Sequence, residues 1–193
     1  MQQTASDFIS LLRTRRSVAP RLLTSPAPTP EEIETLLTIA ARVPDHARLV
    51  PWRFIVIPQA EGRRLGDTIA SVFLQDHPDA EAERVTVERE RLARAPLVIA
   101  VVSRTREHPK APEWEQILSA GAACMALTVA ANAMGYATNW HTEWYAFDRR
   151  FLDVLGLAPA ERIAGFIHIG TAAEPPAERE RPVLSEIVTY YRS

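Results

Sequence analysis

The chain has 193 residues, 47% hydrophobic and 24% charged, which makes one globular domain over 1–193 with a core of its own. A net charge of −2 with no basic stripe excludes a nucleic-acid surface, because binding a phosphate backbone needs a concentrated positive field. The single cysteine, Cys124, cannot close an internal disulfide, so no oxidising compartment is required.

The N-terminus, Met-Gln-Gln-Thr-Ala-Ser-Asp, lacks a basic region followed by an apolar stretch and does not read as a signal peptide, so a cytoplasmic protein is expected. Apolar periodicity predicts helices over about 4–16, 30–43, 61–76, 81–95, 113–134 and 146–155. The first closes on Arg15-Arg16-Ser17, where two guanidinium groups and a hydroxyl suit a phosphate. Arg-Arg pairs are also common on solvated helix faces, so the triplet alone decides nothing. The second helix has the clearest start, with Thr29 as N-cap, Pro30 in the first turn and Glu32 completing a capping box. It ends near Arg42, a cation suited to a helix C-terminus. The run Arg42-Val43-Pro44-Asp45-His46 follows, with Asp45 placed to cap a turn, and then Pro51-Trp52-Arg53-Phe54 opens a strand.

Strands are predicted at 52–58, 97–103 and 163–170, with a fourth at 138–142 directly after the glycine stop at Gly135. Between residues 116 and 141 no formal charge occurs, long enough to raise a membrane helix. Ser119, Thr128, Asn132 and Asn139 interrupt it and alanine fills much of the rest, which favours a buried helix and no membrane. Its small residues, among them Ala120, Gly121, Ala123 and Ala126, allow other backbones to approach closely. Near the end, Tyr190 and Tyr191 are expected to anchor a C-terminal segment.

Helices around few strands imply a layered α+β domain. Neither Gly-x-Gly-x-x-Gly nor Gly-x-x-x-x-Gly-Lys occurs, so a nucleotide cofactor must be held without a glycine loop. Five histidines are scattered without a metal-binding spacing, and no metal is expected. His168 alternates within a strand and reads as packed or solvated.

Taken in order, the helix, Arg-Arg-Ser, proline-rich turn, second helix, Arg-x-Pro-Asp-His and Pro-Trp-Arg-Phe resemble the FMN-dependent nitroreductase family over nearly the whole chain. The closest likeness is to its small, single-domain members with Arg-Arg-Ser and Pro-Asp-His. The resemblance implies a nitroreductase-like layered sandwich whose central, mostly antiparallel sheet is flanked by helices. It implies a homodimer with FMN at the subunit interface, reduced by NADPH or NADH and reoxidised by a small acceptor such as a nitroaromatic or quinone.

By that resemblance Arg15, Arg16 and Ser17 hold one FMN, Trp140, His141 and Thr142 line its ring, and Arg42 and His46 reach it from the other chain. His141 stands where close relatives can have arginine. A late basic residue on the phosphate is matched by Arg181, and Ala130, Ala131, Asn132, Ala133, Met134 and Gly135 form the nicotinamide-nucleotide region. The flavin N5 carries the chemistry, so no conventional catalytic side chain is expected. The alternatives are a flavin-binding sensor or carrier without turnover, and a member using FMN for dehalogenation or flavin fragmentation.

Overall fold

The structure is a computed structural model that describes residues 5–192. In chain order its elements are α1 (Ala5–Thr14), β1 (Leu23–Thr24), α2 (Pro30–Ala40), β2 (Trp52–Pro58), α3 (Gln59–Asp76), α4 (Ala82–Arg89) and β3 (Leu97–Ser103). There follow α5 (Glu113–Ala133), β4 (Ala137–His141), α6 (Arg149–Val154), β5 (Arg162–Ala172) and α7 (Leu184–Ile187). The predicted start of the first helix at residue 4 lies outside the described residues.

The sheet is five-stranded, ordered β1-β5-β3-β2 with β4 also on β5, and every strand pairing is antiparallel. β3 is apolar at nearly every position because both of its faces are covered. Leu97, Ile99 and Val101 meet Leu36 and Ala40 of α2 and Leu127 of α5 on one face. Val98, Ala100 and Val102 meet Ile69 of α3 and Phe151 of α6 on the other. This is the layered α+β sandwich expected.

The capping box of α2 is complete: the Glu32 amide donates to Thr29 Oγ1 at 3.3 Å and the Thr29 amide to Glu32 Oε2 at 2.8 Å. The helix stops at Ala40 rather than 43, since Val43 precedes Pro44 and is pushed from helical geometry. α4 likewise ends at Arg89, short of the predicted 95. Pro96 disfavours helix at Ala95, and a Cβ added to Gly66 would lie 1.9 Å from the Arg89 carbonyl oxygen. The glycine therefore seats α3 against the backbone that ends α4. The predicted helix at 146–155 is a 3-10 turn, Trp144–Ala146, followed by the shorter α6. Asp148 caps α6 by accepting from the Arg150 amide at 2.9 Å. β1 and α7 span two and four residues, too short for periodicity to show.

α5 is long and apolar enough to cross a membrane, yet it packs on α2 and on β3, β4 and β5. Cys124 is buried in it, and burial pushes the thiol up to about 12, which removes it as a nucleophile near neutral pH.

Candidate cofactor site at the edge of β4

Residues 17–18 run as a parallel extension of the sheet beside β4. Ser17 bridges Thr138, the Val18 amide donates to the Thr138 carbonyl at 3.0 Å, and Asn139 Nδ2 donates to the Val18 carbonyl at 2.8 Å. The strand is placed by the end of α5. Gly135 turns the chain at φ +90°, a conformation that glycine alone adopts freely, and Asn132 Nδ2 donates to the Tyr136 carbonyl at 2.9 Å and Thr138 Oγ1 at 3.2 Å. Sequence reasoning foresaw the triplet and the strand but not Asn132 and Asn139 as the ties between them.

The C-terminal segment joins the same edge. Arg181 Nη2 donates to the Arg15 carbonyl at 3.4 Å, and Arg16 Nε donates to the Ala177 carbonyl at 3.0 Å. Glu178 sits between them, 3.7 Å from Arg16 Nε and 3.3 Å from Arg181 Nη2. An exposed carboxylate thus already occupies part of the cationic fork. The Arg15 guanidinium and the Ser17 hydroxyl have no partner among the described residues, and these donors are available to a phosphate.

Trp140, 40% exposed, lies across β5 with Nε1 donating to the Ala164 carbonyl at 3.1 Å. A side chain at Gly165 would sit 2.1 Å from that nitrogen, so the glycine is what lets the indole lie there. Thr142 is exposed. On the alternate face His141 lines a cavity of about 530 Å³ with Ala19, Pro20, Arg21, Arg94 and Asn139. Burial, helped by Arg94 and Arg91 against Glu143, holds the His141 imidazole below its ordinary pKa. Its ring meets that of His168 edge to face at 5.5 Å. His168 is packed rather than solvated: it is fully buried, neither ring nitrogen has a partner among the described residues, and burial pushes its pKa down to about 3.

The nicotinamide-nucleotide region divides. Ala130 and Ala131 are buried in the core, whereas Asn132, Ala133 and Met134 are half-buried and Gly135 is exposed, so the surface offered to a ligand lies at the turn.

Arg42 and His46 are not brought to this edge. His46 Nδ1 lies 2.8 Å from Glu115 Oε2 in the first turn of α5, whereas Asn132, which bonds Thr138 of β4, lies in its last turn. At 1.5 Å per residue the two ends stand roughly 25 Å apart. The turn that displays His46 is built by Asp45, whose carboxylate accepts from the Leu49 and Val50 amides at 2.8 and 2.9 Å. It forces Ala47, Arg48 and Val50 to φ of 61°, 54° and 47°, left-handed geometry that costs on the order of 1–3 kcal/mol at each residue.

Sequence reasoning missed an ionic cluster built around the buried Glu88. Arg91 Nη1 donates to Glu143 Oε1, while its Nε and Nη2 donate to Glu88 at 3.0 and 2.8 Å. The Glu88–Arg91 spacing of one helical turn was the available signal.

Residues 12–171 match the family model of the Nitroreductase family. The chain belongs to the nitroreductase family, a family of enzymes. It is 36% identical to "Putative NAD(P)H nitroreductase YdjA" of Escherichia coli (strain K12) over 167 residues, 86% of this chain and 88% of that protein. A nitroreductase-like family protein from Bacillus cereus shares the fold over the full length of both chains, with a TM-score of 0.85 at 21% identity. A nitroreductase with bound FMN from Bacteroides fragilis NCTC 9343 does so at a TM-score of 0.70 and 19% identity, covering 96% of this chain and 99% of that one.

Proposed function

We propose that this enzyme is an FMN-dependent oxidoreductase that takes hydride from NADPH or NADH and passes it to a small acceptor such as a nitroaromatic or quinone in a ping-pong cycle. The observation that carries the reading is the junction of Ser17 with Thr138. It sets Ser17, and with it the end of α1 at Arg15, whose side chains have no partner among the described residues, at the edge of the strand that carries Trp140. The residues fit FMN: charged and neutral donors suit its phosphate, and the exposed indole of Trp140 offers its ring an aromatic wall. When bound, FMN supplies hydride chemistry at its N5.

Arg15 and Ser17 bind the phosphate, and Arg181 holds the Arg15 backbone in place while its charge adds to the same field. Trp140 walls the ring, and the half-exposed turn from Ala133 to Gly135 leaves room for the nicotinamide nucleotide. Arg42 and His46 complete the site of the partner subunit, a reading supported by their distance from this chain's own edge. Exposed Phe8, Ile9 and Leu12 on α1 and Trp114, Ile117 and Leu118 on α5 form apolar surface that a second copy would cover. Tyr190 and Tyr191, 79% and 92% exposed, are not anchored within the chain and belong to the same reading. The protein works in the cytoplasm as a homodimer.

Anaerobic mixing with NADPH tests this. The flavin absorption should bleach rapidly and return when a quinone is added; a flavin that stays oxidised would favour a sensor or carrier.

A further inference from the structure

Side chains alternate along β4, so its two faces look into different layers. Trp140 pairs with Ile167, which belongs to the core that α5 covers, whereas His141 pairs with Phe166, which belongs to the core under α3 and α6. On this second face a 3-10 turn at Pro20–Leu22 and the end of α4 wall the cavity of about 530 Å³ that His141 lines. A cavity of about 600 Å³ adjoins it and shares Arg21, Glu90 and Arg94.

Main chain fixes the walls of this groove. The Leu22 amide donates to the Ala19 carbonyl at 2.8 Å and the Ala173 amide to the Leu22 carbonyl at 2.9 Å. Opposite them, Gly66 and Gly62 seat α3 on the backbone of Arg89 and Leu92. The charge between the walls is uneven: Arg21, Arg63, Arg89 and Arg94 face only Asp67 and Glu90, and Asp67 is held by Arg89 at 3.0 Å. The guanidinium groups of Arg21 and Arg63 have no partner among the described residues.

The β4 wall of the groove gives an independent observation. His141 Nδ1 and both ring nitrogens of the fully buried His168 are without a hydrogen-bond partner among the described residues, and the two rings meet at 5.5 Å. A neutral imidazole carries one donor and one acceptor, and buried groups of this kind are as a rule bonded.

We infer that this groove is a second ligand site, on the face of β4 away from Trp140, for a small organic anion bearing a phosphate or a carboxylate. The unengaged guanidinium groups of Arg21 and Arg63 take the oxyanion, which suits their donor geometry. Arg94 adds positive charge, although its Nη2 already donates to the Val87 carbonyl at 3.2 Å. His141 offers a hydrogen bond to the body of the ligand. Each cavity is of small-molecule size, larger than a bare ion needs.

The experiment follows the imidazole NMR signals of His141 and His168 during titration with inorganic phosphate or with citrate, against chloride at the same ionic strength. Phosphate, citrate or both should move the two signals saturably while chloride does not; the first alone assigns a phosphate-bearing ligand and the second alone a carboxylate-bearing one. Arg21→Gln and Arg63→Gln should each raise the dissociation constant at least about threefold. Arg15→Ala, in the proposed flavin site, and Arg162→Gln, an exposed arginine outside the groove, should leave it unchanged. No saturable movement with either anion would overturn the inference, as would an equal loss in Arg162→Gln, which would reduce the effect to overall charge, or a loss in Arg15→Ala, which would assign the signals to the other site. The titration needs no flavin, so a protein that binds no FMN would overturn the cofactor reading and leave this one to be decided by the same signals.

Discussion

Val18 and Thr138 are joined by one backbone hydrogen bond, from the Val18 amide to the Thr138 carbonyl at 3.0 Å, and it places Arg15, Arg16 and Ser17 against β4. The proposed phosphate-binding triplet and the proposed ring wall at Trp140 are thereby held at a fixed spacing by main chain rather than by long side chains.

Arg15→Ala should weaken FMN binding at least about tenfold, because a charge-assisted hydrogen bond contributes on the order of 1.5–3 kcal/mol. Titration of apoprotein by quenching of FMN fluorescence measures it. Unchanged affinity would move the phosphate to Arg181, whose guanidinium rests on the Arg15 carbonyl.

A shared site has a signature fixed by symmetry. With Arg15→Ala and His46→Ala chains each FMN-deficient alone, a tagged mixed dimer collects both defects in one site and leaves the other wild type. It should recover about half the flavin and half the activity. A mixed dimer as empty as its parents would place each site within one chain.

Much of this arrangement was legible in the sequence, for reasons that particular residues make plain. The capping box at Thr29 and Glu32, and the unbroken apolar run of β3, are local signals that tertiary contacts reinforce. The end of α4 was not legible, because the seating of Gly66 on Arg89 is a contact between helices that periodicity does not encode. The triplet at Arg15 could be found as chemistry, but its tie through Asn139 to Val18 spans 121 residues. In the ionic cluster Glu88 and Arg91 are neighbours in sequence, whereas Glu143 lies 52 residues from Arg91.

Gly66→Ala should be destabilising, since its Cβ would meet the Arg89 carbonyl at 1.9 Å and force α3 away from the end of α4. Overpacking of this kind costs about 1–3 kcal/mol, which for a chain of this size lowers Tm by roughly 2–4 °C per kcal/mol. Thermal unfolding followed by circular dichroism should show the drop; an unchanged Tm would mean that the helices separate freely.

Arg53 clamps Glu161 with two hydrogen bonds of 2.7 Å, and this pairing first of all holds the Glu161 carboxyl below its ordinary range. A depressed folded-state pKa contributes stability that is complete above the unfolded value and is lost as pH falls through the folded one. Wild type should therefore exceed Glu161→Gln in urea midpoint at pH 7, and the gap should narrow below about pH 4. A gap constant from pH 7 to pH 3 would assign the difference to packing rather than to charge.

The flavin content of the purified protein tests the central claim most directly. The Arg15–Ser17 edge and the absence of a glycine loop for a pyrophosphate predict a yellow protein that releases on heating about one flavin per chain, as FMN rather than FAD. A colourless protein that stays colourless after incubation with FMN, or one that releases FAD, would contradict the account.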